Sequence, residues 1–204
     1  MSLRLKFMLI HMMLLMVIMG GCFNVPDTRA FQDEFTKEFM QSTKEAEEGY
    51  YTFESGTGGY TMLFPVDATL DEGYYYKQGD VIENISFANE EGEGRLISGA
   101  RISYDSRSIN EYIDVQLDSL SNKIKYEGEY DIIELNDKSI YYAKKQESSS
   151  SYFLISFVKA KNGSQAIEII YRISCLDEGN NCDINIELEE DFFQRILKSV
   201  EFVN

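Results

Sequence analysis

The stretch Tyr152-Phe-Leu-Ile-Ser-Phe-Val158 says most about how this chain folds. Successive side chains of a β-strand point to opposite faces, and here both alternating sets are mainly apolar. A strand of this kind has to be covered on each side. We therefore expect it in the middle of a sheet, with packed layers on both faces.

Further strand patterns lie before and after this stretch, and short turn signals separate them. Asn162-Gly163 is typical of a two-residue type I′ hairpin turn. Residues 90–94 are charged and glycine-rich, which suits a solvated hairpin tip. The predicted strands cover residues 59–66, 85–87, 96–104, 130–135, 139–145, 152–160 and 165–175.

An N-terminal amphipathic helix is predicted over residues 28–48. Phe31, Phe35 and Phe39 recur four residues apart with charged residues between them, and Thr28 or Asp27 suits the N-cap. The phenylalanine face could pack onto the rest of the domain or lie on a bilayer. We favour packing, because the polar face is acidic whereas an interfacial helix carries Lys and Arg.

Two more helices are predicted further along. Ser108-Ile-Asn-Glu111 is a capping-box pattern, in which both side chains bond backbone N–H groups at the start of a helix. The last helix is predicted from about Glu189, and its acidic first turn suits the helix dipole. The apolar stripe of the helix that starts near Ser108 consists of Ile109, Tyr112, Ile113, Leu117 and Leu120. The apolar stripe of the last helix consists of Phe192, Phe193, Ile196, Leu197 and Val200.

The first 21 residues differ from the rest of the chain and are typical of an export signal. Arg4 and Lys6 precede an apolar run over residues 7–19. This run is too short for a transmembrane helix, which needs about 20 residues, but it fits the core of a signal peptide, which has about 7 to 15. A short membrane anchor is the alternative interpretation.

The run ends in the four residues Met19-Gly20-Gly21-Cys22, which resemble the lipobox of bacterial lipoproteins. The resemblance implies cleavage before Cys22 and transfer of a diacylglycerol, with acyl chains such as palmitate, to its thiol. Two chains matter because one alone binds a bilayer only weakly, with K of about 10⁴ M⁻¹. We expect a signal peptide over 1–21, a lipidated cysteine with a short tether over 22–27, and a location on the extracytoplasmic side of the cell membrane. Ordinary signal cleavage near Gly21 is the alternative.

The charge of the chain excludes one class of partner. The 204 residues include 19 Lys and Arg against 35 Asp and Glu, for a net charge of −16. Removal of residues 1–21 takes away two basic residues and no acidic one, so the net charge becomes −18. Nucleic-acid binding needs clustered Lys and Arg, so no nucleic-acid partner is expected. An anionic membrane would repel the domain, and the lipid on Cys22 must therefore provide the membrane contact.

Cys175 and Cys182 are the two cysteines that remain beside the lipidated one. An even pair in an oxidising compartment favours a disulfide. The residues between them are polar and turn-forming, so the two thiols can meet without distorting a regular element. In the chain-entropy model a loop this short is worth about 2 to 3 kcal/mol. Two free thiols are the alternative.

Three pieces of sequence carry a family resemblance: Gly59-Tyr-Thr-Met-Leu-Phe-Pro65, Ser108-Ile-Asn-Glu-Tyr112 and Phe192-Phe-Gln-Arg-Ile-Leu-Lys-Ser-Val200. The chain from residue 59 to residue 202 resembles the Mog1/PsbP-like fold, which also occurs in small bacterial lipoproteins of uncharacterised role. The resemblance implies the α+β class, as an antiparallel sheet sandwiched with helices in a single domain over 50–204. It transfers no site, because members differ widely in what they bind.

The sequence offers little for catalysis. Its one histidine, His11, lies in the signal, so the exported domain lacks the commonest general base and zinc ligand. A pair of carboxylates could act as in a glycosidase, but 35 carboxylates bring two together by chance. We expect no enzyme, no cofactor and no metal site. The acidic loop 177–183 does not match the EF-hand pattern, and a structural calcium there stays open.

The cluster Tyr74-Tyr75-Tyr76 is the candidate contact patch on the surface. Tyrosine provides rigid contact area at a low entropic cost. We therefore expect a non-catalytic protein-binding or adaptor module that meets an envelope protein. The alternative is a small-ligand or metal-ion sensor, which would need a pocket with converging polar groups.

Replacement of Cys22 by Ala tests the lipid anchor. The variant has no thiol to acylate, so the protein should move from the membrane fraction to the soluble fraction. Fractionation of cells followed by immunoblotting measures this distribution. If the variant still needs detergent for extraction, the lipoprotein interpretation is wrong.

Overall fold

The computed structural model describes residues 25–91, 96–176 and 184–203. Helices α1, α2 and α3 cover Arg29–Gln32, Ile113–Ile124 and Ile186–Ser199, and 3-10 turns cover Thr36–Phe39 and Ser108–Glu111. The strands are β1 Tyr50–Glu54, β2 Tyr60–Pro65, β3 Thr69–Leu70, β4 Tyr76–Gln78, β5 Ile82–Glu91, β6 Leu96–Asp105, β7 Asp131–Glu134, β8 Lys138–Ser148, β9 Ser151–Ala160, β10 Ala166–Cys175 and β11 Glu201–Phe202.

Most of the strands form one antiparallel sheet. Its order is β3-β5-β6-β10-β9-β8-β7, and β4 pairs with β5 beside β3. Strands β1, β2 and β11 form a second, smaller antiparallel sheet in the order β1-β2-β11. The prediction of a central strand over 152–160 is confirmed, because β9 lies between β10 and β8.

Both faces of β9 are covered, by different elements. Leu154 and Val158 belong to the larger core, which also contains Phe193 of α3 and the inner side chains of the small sheet. Ile155 and Phe157 belong to a smaller core with Leu120 and Ile124 of α2. The described residues thus form an α+β domain, as expected from the sequence.

Helix α3 closes the larger core. It begins slightly earlier than predicted, where the Asn185 side chain accepts a hydrogen bond from the backbone N–H of Leu188. The predicted apolar stripe is confirmed at its centre, since Phe193, Ile196 and Leu197 are buried. At the far end Ser199 accepts a hydrogen bond from the backbone N–H of Leu63, at 2.9 Å, and so ties the helix to β2.

The prediction of a continuous N-terminal helix over 28–48 is wrong. Helix α1 ends at Asp33, where ψ is 120°, and the Asp33 carboxylate then accepts hydrogen bonds from both the backbone N–H and the hydroxyl of Thr36. This local capping starts a separate 3-10 turn and outcompetes a continuous helix. Phe31 and Phe39 are nevertheless buried in the larger core, so the predicted packing onto the domain is confirmed.

The capping box at Ser108 does not form. Residues 108–111 make a 3-10 turn without a side-chain cap, and α2 begins only at Ile113. The cause is Asn110, which is buried and donates hydrogen bonds to the carbonyl oxygens of Asp105 and Ser164. Ile109 and Tyr112 are exposed as a result, whereas Ile113, Leu117 and Leu120 face the smaller core as predicted.

Two strand details also differ from the sequence prediction. Strand β5 covers Ile82–Glu91, well beyond the predicted 85–87. Asn162-Gly163 is not a two-residue type I′ turn, because only Gly163 has a positive φ, of 114°. The connection is longer, and the backbone N–H of Ala160 closes it by donating to the carbonyl oxygen of Gln165.

Leu120 tests the contribution of the smaller core. Its side chain is fully buried under α2, so Leu120→Ala should lower the free energy of unfolding by about 2 to 5 kcal/mol. Val115, on the same helix, is 56% exposed, and Val115→Ala should change stability by less than about 0.5 kcal/mol. Urea denaturation of both variants provides the comparison. Equal effects would contradict the orientation of α2.

Candidate functional site

The predicted tyrosine patch divides between two sides of the molecule. Tyr74 and Tyr76 are 36% and 50% exposed. Tyr75 turns inward and packs against the larger core. The expectation of one surface made by all three rings is therefore wrong for Tyr75, because the turn over residues 72–74 ends between Tyr74 and the strand that begins at Tyr76.

Tyr74 and Tyr76 lie at the uncovered half of the main sheet. Tyr76 on β4 is directly opposite Asn84 on β5, which is opposite Ser103 on β6, so these three side chains share the face on which α2 lies. Helix α2 covers the β8–β10 half of that face, and no helix within the described ranges covers the β4–β6 half. The guanidinium carbon of exposed Arg101 lies 5.5 Å from the centre of the Tyr74 ring. We call this surface the open face, defined by Tyr74, Tyr76, Asn84, Ser86 and Arg101.

Tyr75 belongs to a compact group of rings on the other side. It meets Phe35 and Phe39 edge to face, with ring centroids 5.4 and 5.3 Å away, and those two rings meet each other at 5.1 Å. We call Phe35, Phe39 and Tyr75 the aromatic triad. The hydroxyl of Tyr75 donates a hydrogen bond to Glu83 Oε1 at 3.3 Å, so the triad leads directly to a buried carboxyl group.

Glu83 is fully buried, which is unusual for an acidic side chain. The backbone N–H of Gly56 donates to its Oε1 at 2.7 Å. A Cβ at residue 56 would lie 2.3 Å from the Tyr75 hydroxyl, so only glycine allows this approach. Among the described residues, neither Oε2 of Glu83 nor the hydroxyl of buried Tyr60 has a hydrogen bond of good geometry.

Burial shifts the protonation of this cluster. Desolvation raises the pKa of Glu83 above its ordinary value, although the Gly56 N–H, the hydroxyls of Tyr60 and Tyr75 and the Lys77 ammonium oppose the rise. Desolvation also raises the pKa of Tyr60 well above its ordinary value, and the nearby Glu83 carboxyl adds to that rise. Both groups are thus pushed toward their protonated forms.

Two open clefts lie on the surface. One, of about 440 Å³, is lined by residues of both charges, including Glu47, Asp191, Arg195 and Lys198. The other, of about 370 Å³, is lined by the aromatic triad together with Glu38, Met40, Gln41, Glu54, Ser55 and Gly56. In the second cleft both charged residues are acidic, and it lies over the wall that hides Glu83.

Several predicted residues lie outside the described part of the chain. These are the signal over 1–21, Cys22, Cys182 and the acidic loop 177–183. Cys175 ends β10 and is 9% exposed, and the disulfide stays a prediction. Within the described ranges, no group of three His, Cys, Asp or Glu residues could hold a metal ion, and no helix is long and apolar enough to span a bilayer.

Sequence reasoning missed Glu83 and Arg101. Glu83 lies two residues before Ile85 and four before Phe87, so it continues the alternation that buries both of them. Extension of that pattern by one step would have placed a carboxyl group in the core. The alternation of β6 buries Ala100 and Ile102 and leaves Arg101 on the opposite face, but the sequence alone does not show that this part of the face lacks a covering helix.

The fold and the lipobox define a bacterial lipoprotein with a Mog1/PsbP-like domain, as the sequence resemblance implied. The chain belongs to the family described as "Putative lipoprotein YvcA", which matches residues 26–201. It is 29% identical over 190 residues to "Putative lipoprotein YvcA" of Bacillus subtilis (strain 168), and the match covers 88% of this chain and 79% of that protein. No solved structure matches the chain.

The buried carboxyl group gives a pH-dependent prediction. Since the folded pKa of Glu83 is raised above 4.5, stability from this group is complete below its unfolded pKa and is lost as the pH rises through the folded pKa. The Glu83→Gln variant keeps an oxygen acceptor for the Gly56 N–H but does not titrate. Its free energy of unfolding should therefore fall less than that of the wild type between about pH 4.5 and pH 7.

Urea denaturation across this pH range measures the difference. Glu127→Gln is the matched control, because Glu127 is exposed near the end of α2. The control should follow the wild type at every pH. Parallel curves for the wild type and Glu83→Gln would show that the carboxyl group is not destabilised by burial.

Proposed function

We propose that this protein is a non-catalytic, protein-binding lipoprotein, anchored through lipid on Cys22 to the extracytoplasmic side of the cell membrane. Membership in a lipoprotein family supports the anchor. The single observation that carries the binding role is the open face. There no helix from the described part of the chain covers the sheet, and two exposed tyrosines and an arginine lie on it.

The chemistry of the open face suits a protein partner. Tyrosine and arginine are enriched among the residues that dominate binding energy at protein interfaces. Arg101 stacks on the Tyr74 ring, so both side chains are held in place before a partner arrives, and less conformational freedom is lost on binding. The small side chains of Asn84 and Ser86 give a partner access to the sheet between the larger groups.

The charge of the domain narrows the choice of partner. A net charge of −18 after signal cleavage favours encounter with a basic protein surface and disfavours other polyanions. Envelope proteins with exposed Lys and Arg are therefore the expected partners. Because salt ions screen charges, this preference should be stronger at low salt than at high salt.

A non-catalytic role also agrees with the site chemistry. Glu83 is the carboxyl group whose environment most resembles that of a catalytic acid, because burial raises its pKa. Its side chain is fully buried, however, and the Gly56 N–H and Tyr75 hydroxyl already occupy Oε1. A substrate in solution has no contact with it in this conformation.

In-cell photo-cross-linking tests the proposal. The full-length lipoprotein would carry a benzoylphenylalanine in place of Tyr76, and a matched variant would carry it in place of Leu188, which is 64% exposed on α3. The residue at position 76 should capture one envelope protein, whereas that at position 188 should not capture it. Mass spectrometry of the membrane fraction identifies the product.

A second substitution decides whether the open face itself is recognised. Arg101→Ala, added to the variant with the cross-linker at position 76, should lower capture by at least about fivefold, as expected for a residue worth about 1 kcal/mol at an interface. Equal capture from positions 76 and 188, or capture that Arg101→Ala leaves unchanged, would contradict a specific interface here.

A further inference from the structure

The cleft beside the aromatic triad differs in chemistry from the open face. Its volume of about 370 Å³ lies in the range of sites for small organic molecules. Tyr75 belongs to this cleft, while its neighbours Tyr74 and Tyr76 belong to the open face. The two surfaces can therefore be tested separately.

The wall of the cleft is formed by ring systems in several orientations. The planes of Phe35, Phe39 and Tyr75 meet at angles between 64° and 69°. Phe39 is 9% exposed and stacks on Phe53, so the accessible ring surface is that of the partly buried Phe35 and Tyr75. The face of an aromatic ring carries negative electrostatic potential. Cations are attracted to such faces, most strongly where water is partly excluded.

The two charged residues that line the cleft are Glu38 and Glu54, and both are exposed to solvent. Lys37 pairs with Glu34, and both of these residues lie outside the lining. The Lys77 ammonium donates to the carbonyl oxygen of Gly56 at the edge of the cleft and lies 3.9 Å from Asp80, so acidic groups remain in excess around the cleft. An anionic ligand would be repelled here, whereas a cationic one would gain from both rings and carboxylates.

The wall of the cleft also reaches a buried carboxyl group. Gly56 and Tyr75 both line the cleft and both donate to Oε1 of Glu83. Burial pushes Glu83 toward its neutral form, so the negative charge that a bound cation would meet in the cleft comes from Glu38 and Glu54.

We propose that this cleft binds an organic ammonium group, held against the aromatic triad and balanced by Glu38 and Glu54. An organic cation fits better than a metal ion, because ring faces do not ligate metals well and no metal-binding cluster occurs in the described ranges. The site does not rest on the proposed protein-binding role, since it uses no residue of the open face.

Calorimetric titration of the full-length lipoprotein in neutral maltoside micelles tests the site. The first probe is choline, and its control is 3,3-dimethylbutan-1-ol, which has the same shape without the charge. Choline should bind at least about fivefold more tightly than the alcohol, which is the scale of a cation–π contact. The affinity for choline should fall when salt is raised, because the flanking carboxylates are exposed.

Variants locate the binding in the cleft. Glu54→Gln removes one exposed charge and should weaken choline binding by a few-fold, which corresponds to the loss of about one exposed ion pair. Phe35→Leu removes one ring and should weaken it by about fivefold. Glu127→Gln, which removes a distant exposed charge, should leave it unchanged. Because Glu54 is exposed, its variant keeps the test valid even if Phe35→Leu fails to fold.

A second cationic probe distinguishes two sources of the ammonium group. Nα-acetyl-lysine methylamide presents the ammonium of a lysine side chain, whereas choline presents that of a small quaternary amine. Tighter binding of either one supports the ammonium site and assigns its source. Equal binding of choline and its neutral counterpart, or no binding of either cation up to roughly 10 mM, would overturn the proposal.

Discussion

Strand β9 has to be buried on both of its faces, and the arrangement of the other elements follows from this constraint. An apolar side chain left in water would forfeit about 25 cal/mol for each square ångström of apolar surface. Helix α2 covers one face, and α3 with the small sheet covers the other. A single 12-residue helix such as α2 is too narrow for the whole width of the main sheet, so the β4–β6 half stays open. The surface with Tyr74, Tyr76 and Arg101 is thus a by-product of how the core is built.

The elements that sequence reasoning predicted well are those in which burial alone sets the pattern. The alternation of β6 and β10 survives in the fold because antiparallel pairing and core packing require the same period, and β9 is buried on both faces as its two apolar sets predict. The errors fall where one polar side chain bonds the backbone locally. Asp33 ends a helix that the phenylalanine spacing would continue, and Asn110 holds a turn where a capping box was expected. The partners of such residues are backbone groups that come within reach only in the folded chain, so the spacing of apolar residues in the sequence does not reveal them.

In the candidate site, too, some features could be predicted from the sequence pattern and others depend on contacts that form only in the fold. Tyr74 and Tyr76 were predicted from composition, because tyrosine in a polar connecting segment tends to be accessible. Glu83 could have been placed by its position in the β5 alternation, but its neighbours could not. Gly56 and Tyr75 come from separate segments that meet it only in the fold. A core that keeps a partly satisfied carboxyl group gives up stability, and departures of this kind are expected where a protein binds or responds to something.

The small sheet also makes the larger core depend on the C-terminal segment of the chain. Strand β2 lies between β1 and β11 and packs against α3, so the larger core is complete only when residues 186–202 have joined. The long-range pairing of Tyr60 with Phe202 makes completion of the core depend on a segment far along the chain. A chain that lacks residues 186–202 therefore lacks both one strand of the small sheet and the helix that closes the larger core. The N-terminal strands cannot complete their own core, so the stability of the whole domain depends on its last segment.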